Sequence, residues 1–165
     1  MKLTLDHLRC VLRYDVDTGR FSWLAPTARS LKSGDTAGCL ESDGYRAIRV
    51  GGQMYKAHRL AYFYVHGEWP PEQLDHINGK RDDNRIVNLR LATRAENAGN
   101  SKRRTDNTSG HKGVYWNRQR NKWQAKIRRG ALEKHLGLFS SKEDAAEAYR
   151  KASATVFGDF ACIDR

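Results

Sequence analysis

Leu74-Asp75-His76-Ile77-Asn78-Gly79, followed by Asn88-Leu89-Arg90 and then by Glu96-Asn97, is the stretch on which the reading of this chain turns. An aspartate and a histidine stand side by side, one asparagine follows the histidine by twelve positions, and another comes nine later. Asn78-Gly79 is a strong hairpin signal, because type I′ turns need positive φ at both central residues. Leu74, Ile77, Val87, Leu89 and Leu91 place apolar residues on either side of a polar loop. Thr93-Arg94-Ala95-Glu96 has the form of a capping box, which predicts a helix from about Arg94 with Asn97 one turn in. The local expectation is a ribbon with a long loop and then a helix, on which Asp75, His76, Asn88 and Asn97 converge.

Such a convergence suits hydrolysis assisted by a hard cation. The Asp75 carboxylate and the Asn97 side-chain carbonyl are oxygen donors, which match Mg²⁺, or Mn²⁺ in its place, better than zinc. Magnesium keeps several waters and needs only one or two protein ligands, so this pair is enough. Strand alternation points Asp75 and His76 to different sides, leaving the imidazole to face a water. A neutral imidazole is suited to taking that proton. Asn88 is expected to accept from the far ring N–H and hold the useful tautomer.

These residues, in this order and spacing, resemble the HNH endonucleases of phage and intron homing type. His58-Arg59-Leu60-Ala61 and Pro70-Pro71 ahead of the motif are also similar to that family. The resemblance implies a ββα-metal fold. It gives His76 the role of general base, Asp75 and Asn97 those of metal ligands, and Asn88 that of orienting His76. The cysteine pairs of the zinc-stabilised members have no counterpart beside this motif.

Composition points the same way. The chain has 165 residues and a formal charge of +11, from 30 Lys and Arg against 19 Asp and Glu. A field of that sign favours polyanions, and basic charge with interleaved aromatics is the footprint of a nucleic-acid binder. No apolar run approaches the ~20 residues that span a bilayer, and Met1-Lys2-Leu3-Thr4 does not open a signal peptide. Cys10, Cys39 and Cys162 are odd in number and widely spaced, so a disulfide framework is not expected and an intracellular setting fits.

Along the chain, Leu5, Leu8 and Leu12 share a helical face, which predicts a helix over about 5–14 capped by Thr4. Arg20 to Leu24 reads as a strand and 25–42 as loop. Tyr45 to Val50 and Met54 to Ala57 flank Gly51-Gly52-Gln53 and predict a hairpin. Arg46, Lys56 and Arg59 are candidates for DNA-backbone contact. A helix over 58–66 is expected to turn Leu60, Ala61, Tyr64 and Val65 inward. Residues 101–110 read as a basic linker in which Arg103 and Arg104 are candidates to follow phosphates.

Beyond the linker, Trp123, Ala125 and Ile127 alternate with Lys122, Gln124, Lys126 and Arg128, giving a strand with one apolar and one basic face. Val114 to Asn117 and His135 to Phe139 complete a predicted three-stranded antiparallel sheet. Ser140 to Glu143 predicts a helix start, with a stripe of Ala145, Ala148, Tyr149, Ala152 and Val156 and a stop at Gly158. This pattern resembles the plant ethylene-response-factor (AP-two) DNA-binding domain, through Gly113-Val114, Lys122 to Arg128, Leu136 to Phe139 and Glu143 to Tyr149. That family reads the major groove with its sheet. The resemblance places Lys112, Tyr115, Arg118, Lys126, Arg128 and His135 at the family's DNA-contact positions, and Lys122, on the basic face of the central strand, is a further candidate for DNA binding. Tyr115, Lys126 and His135 depart from the family's residue types, which implies a different base preference.

The expectation is an α+β chain: a ββα-metal nuclease domain over 1–100, a linker over 101–110, and a small three-stranded sheet plus helix over 111–165. Its function would be metal-dependent cleavage of double-stranded DNA, nicking one strand first, as a monomer in the cytoplasm of a bacterial host if phage-encoded. The rival reading is a DNA-binding regulator with an inactive nuclease half.

Overall fold

The computed structural model describes residues 3–26, 30–101 and 106–162. Two compact units divide the chain, Met1–Leu91 and Ala92–Arg165.

The first unit opens with α1 (Leu5–Val11), where the Thr4 side chain accepts from the His7 amide. The helix stops earlier than the leucine spacing suggests. Its next residues enter β1 (Leu12–Asp15), which pairs antiparallel with β2 (Arg20–Trp23). Two-residue alternation takes over there: Leu12 and Tyr14 are buried, and Arg13 and Asp15 exposed. The following segment contains a short strand, β3 (Cys39–Leu40), beside β4 (Arg46–Val50) and β5 (Gln53–Lys56). Gly51 and Gly52 turn between β4 and β5 at φ of 56° and 80°, the conformation a tight two-residue hairpin requires. Helix α2 (Ala57–His66) ends on left-handed Gly67. Leu60 and Ala61 are buried and Tyr64 packs half-buried on the core as expected, but Phe63 is also buried and Val65 is 41% exposed. Leu8, Leu12, Phe21, Ile48 and Leu60 form the centre of this core, each fully buried side chain being worth about 1.5–3 kcal/mol.

Strand β6 (Gln73–His76) pairs with β7 (Leu89–Ala92), and a 3-10 turn at Ile86–Asn88 precedes the second strand. Of the apolar positions flanking the loop, Leu74 is buried, whereas Ile77, Val87 and Leu91 are exposed. Asn78-Gly79 does not form a type I′ turn. Gly79 is left-handed at φ 66° but Asn78 is not, and the Gly79 amide closes onto the His76 carbonyl at 2.8 Å to begin a longer loop.

The second unit begins with α3 (Arg94–Gly99), held by the Thr93–Glu96 capping box. The division precedes the expected 101–110 linker because α3 packs on elements of the second unit. A Cβ on Gly99 would meet the Phe157 ring at 2.6 Å, and Glu96 stands 3.8 Å from the Arg129 guanidinium. Strands β8 (Val114–Asn117), β9 (Lys122–Arg129) and β10 (Leu132–Phe139) form an antiparallel sheet with β9 central. Helix α4 (Lys142–Phe157) starts at Ser141, whose hydroxyl accepts from the Asp144 amide, and ends at Gly158. It packs Ala145, Ala146, Tyr149 and Phe157 against Val114, Ala125 and Ile127, with Ala152 and Val156 half-buried beside them and Ser153 also buried, a face wider than the expected stripe. Gly113 has no alternative: at φ 71°, a Cβ would stand 2.2 Å from the Tyr149 ring.

Candidate active site

Asp75 and His76 are both buried, each 4% exposed, although alternation sends them to opposite sides of β6. Asp75 meets a cation: Arg90, on β7, donates to its Oδ2 from Nε at 2.9 Å and from Nη2 at 2.7 Å. His76 enters an aromatic and amide pocket. The His58 ring stands edge-on with centroids 5.2 Å apart, and the Tyr45 ring lies 5.7 Å away. At the ring edge, Nε2 is 3.3 Å from the Asn84 side-chain oxygen. Burial lowers the His76 pKa below 6.5, with the Asn84 bond and the Asp75 charge opposing, so the ring is neutral at neutral pH.

Asn88 lies beside this pair but its amide is spent on the loop. Its side-chain oxygen accepts from the Asn78 amide at 3.0 Å, and its Nδ2 donates to the Asp83 carbonyl at 2.8 Å and the Asn78 side-chain oxygen at 3.1 Å. The backbone repeats the closure, with the Ile77 amide on the Asn88 carbonyl at 2.9 Å. Asn88 therefore pins the neck of the loop, and Asn84 meets the His76 ring nitrogen in the position expected for Asn88. Asp83 braces the loop through Arg85 and Asn78, and the Arg85 guanidinium is the main cause that draws its carboxyl down to about 2.

Asp75, His76 and Asn88 are thus gathered in the first unit, while Asn97 belongs to the second, on α3. Among the described residues, no group of three or more His, Cys, Asp or Glu is placed to hold a metal. The donor chemistry nonetheless fits a hard cation with few protein ligands. Asp75 is a buried carboxylate, an oxygen donor of the kind a hard cation takes, and Arg90 would share it with such an ion.

The basic candidates of the first unit turn inward. Arg46 forms a two-point bond with Asp82, at 2.9 and 3.1 Å, and also donates to the Gly38 carbonyl. Lys56 is paired with Glu41 and Asp43. Arg59 donates to the Glu72 and Pro70 carbonyls, tying α2 to the segment before β6. These three side chains hold loops together within the first unit.

In the second unit, Lys112 is likewise occupied, donating at 2.7 Å to the carbonyls of Gly99, the last residue of α3, and of Ser101 beyond it. Lys126 and His135 are cross-strand neighbours on the sheet face away from α4, with Arg128 opposite Glu133 and Tyr115 beside Gln124. Glu133 accepts from Lys126 at 2.8 Å, placing one carboxylate within the basic face. Arg118 and Lys122 are exposed at and beside the β8–β9 turn, and Arg103 and Arg104 lie outside the described residues. Asn84, Arg90 and Glu133 are the residues that sequence reasoning missed. Asn84 sits in a polar loop with no periodicity to mark it.

Residues 55–99 match the family model of the HNH endonucleases. Among curated proteins, the chain is similar to Protein 3.8 of Escherichia phage T7, 37% identical over 79 residues, which is 46% of this chain and 65% of that protein. It is also similar to an uncharacterized HNH endonuclease of Acanthamoeba polyphaga mimivirus, 28% identical over 128 residues, or 76% of this chain and 65% of that protein. The chain spans 65% of the length of either relative. No solved structure matches. Among the described residues, no helix is long and apolar enough to cross a membrane.

Proposed function

We propose that the chain is a metal-dependent DNA endonuclease of phage or homing type. The observation that carries this reading is a buried Asp75-His76 pair, with a neutral imidazole braced at Nε2, inside the stretch that matches the HNH endonucleases. In this reading His76 removes a proton from water, and the resulting hydroxide attacks phosphorus while the bond to the leaving oxygen breaks. Asp75 would hold Mg²⁺ or Mn²⁺, with Asn97 as the ligand the family resemblance adds to it. Such an ion stabilises developing charge on the phosphate and leaving oxygens. Asn88 keeps the loop closed so that β6 presents the pair.

The second unit's open sheet face is the proposed DNA-reading surface, in the manner of the ethylene-response-factor domains. Tyr115, Lys126, Arg128 and His135 lie on one side of the sheet, and the net charge of +11 supports a polyanionic partner. A single Asp-His set acts on one phosphate at a time, so a monomer should nick first. The phage relative supports action in the cytoplasm of a bacterial host.

The test is digestion of supercoiled plasmid with Mg²⁺ and with EDTA. Wild type should accumulate open circles before linear DNA only with metal. His76→Ala should lose about 10²–10⁴-fold in rate while duplex binding is retained. Cleavage in EDTA, or a His76→Ala rate near wild type, refutes the mechanism.

A further inference from the structure

We propose that Gln124 is a base-reading residue of the second unit's open sheet, held so that its amide nitrogen, a donor, is the group it offers to duplex DNA. This rests on the reading of that sheet face as the DNA surface and gives the face a chemical preference: a base with an acceptor on its major-groove edge.

Val114, Ala125 and Ile127 are buried under α4, so alternation puts Tyr115 and Asn117 of β8 and Lys122, Gln124, Lys126 and Arg128 of β9 on the other face. Gln124 lies at the middle of that face, on the central strand, opposite Tyr115 on one side and Leu138 on the other. Lys122 and Lys126 flank it along β9. Lysines are flexible point charges suited to phosphate, whereas a planar amide held in one direction is suited to a base edge.

That direction comes from the β8–β9 turn. The Asn117 side-chain oxygen accepts from the Arg120 amide at 3.1 Å, and Asn121, left-handed at φ 52°, leads the chain into β9. A backbone N–H only donates, so the Asn117 atom in this contact is oxygen, and its Nδ2 is free to face the strand. Nδ2 also only donates, so the Gln124 atom 3.0 Å from it is Oε1. Among the described residues this is the one hydrogen bond of the Gln124 side chain, and Nε2 is left for a ligand. In the major groove guanine offers N7 and O6, thymine O4 and adenine N7 as acceptors, whereas cytosine offers the N4 donor. Two donors cannot bond, so the discrimination is against cytosine on the contacted strand.

The experiment is selection of bound duplexes from a random pool by the full chain in EDTA, repeated with three variants. Wild type should return a consensus in which one position excludes cytosine on one strand by about tenfold or more. Gln124→Leu should lose the preference at that position alone. Asn117→Asp still accepts from the Arg120 amide but has no Nδ2, so Gln124 turns its own nitrogen to the carboxylate and offers Oε1 instead; cytosine should become the preferred base there. A contact that only braces the turn would weaken binding evenly and move no position. A wild-type pool without a consensus overturns the proposal, as does an unchanged consensus in Gln124→Leu or an Asn117→Asp consensus that still excludes cytosine. Failure of the underlying reading looks different. The double variant Lys122→Gln, Arg128→Gln, on the same face, should bind every duplex more weakly, and wild-type affinity in it means that the sheet does not meet DNA.

Discussion

Replacing His58 by Phe should flatten the acid sensitivity of the first unit. Burial is the main cause that pushes the His58 pKa from 6.5 down to about 3, with the positive ends of His76, Arg59 and Lys56 adding to it and Asp43 opposing. The side chain is 8% exposed and its Nδ1 has no hydrogen-bond partner, so the Asp43 charge offsets little of the cost of charging the ring. In the unfolded chain the ring takes a proton near its ordinary pKa, whereas in the native protein it resists. Stability is therefore complete above pH 6.5 and is lost as pH falls from there toward about 3. At about pH 5, roughly 1.5 below the ordinary value and at about 1.4 kcal/mol per pH step, the loss from this one ring is about 2 kcal/mol. Phe keeps a ring beside Tyr45 and His76, whose centroids lie 5.1 and 5.2 Å from that of His58, and breaks no bond at Nδ1. Urea unfolding of both chains at about pH 7.5 and about pH 5 isolates the effect, because every other titrating group is shared. The variant should lose about 2 kcal/mol less than wild type between the two conditions. Parallel losses, within about 0.5 kcal/mol, would show that His58 does not resist protonation in the native state.

The charge pairs yield two further outcomes. Arg90→Met removes the guanidinium from buried Asp75 and should cost about 3–5 kcal/mol in EDTA, with excess Mg²⁺ restoring more stability to the variant than to wild type; unfolding midpoints equal to wild type in EDTA would contradict this. Glu133→Gln frees Lys126 on the open sheet face, so duplex affinity should rise and the log–log salt slope steepen by about 1, while an unchanged slope in a salt titration would place that face away from DNA.

Much of the fold is written in short-range pattern. The β4–β5 turn is visible in Gly51-Gly52 because only glycine takes two positive φ values cheaply, and the start of α3 is visible in Thr93 and Glu96 because capping partners lie three residues apart. Strand alternation likewise placed Ala125 and Ile127 inside and Lys126 and Arg128 on the other face. The Asp75-His76 pair was legible because its two residues are adjacent and chemically unusual together. What sequence could not supply was the partner of each polar group. For Arg46, Lys56 and Arg59, nothing in the sequence pointed to Asp82, Glu41, Asp43 and the two backbone carbonyls that folding brings to them. The choice between Asn84 and Asn88 was also beyond it. Both are asparagines in one polar loop, and which amide meets the imidazole depends on Tyr14 and Gly19, distant in sequence and set against the loop only by tertiary packing. Hydrogen bonds act over about 3 Å in space regardless of separation along the chain, so local pattern carries little information about them.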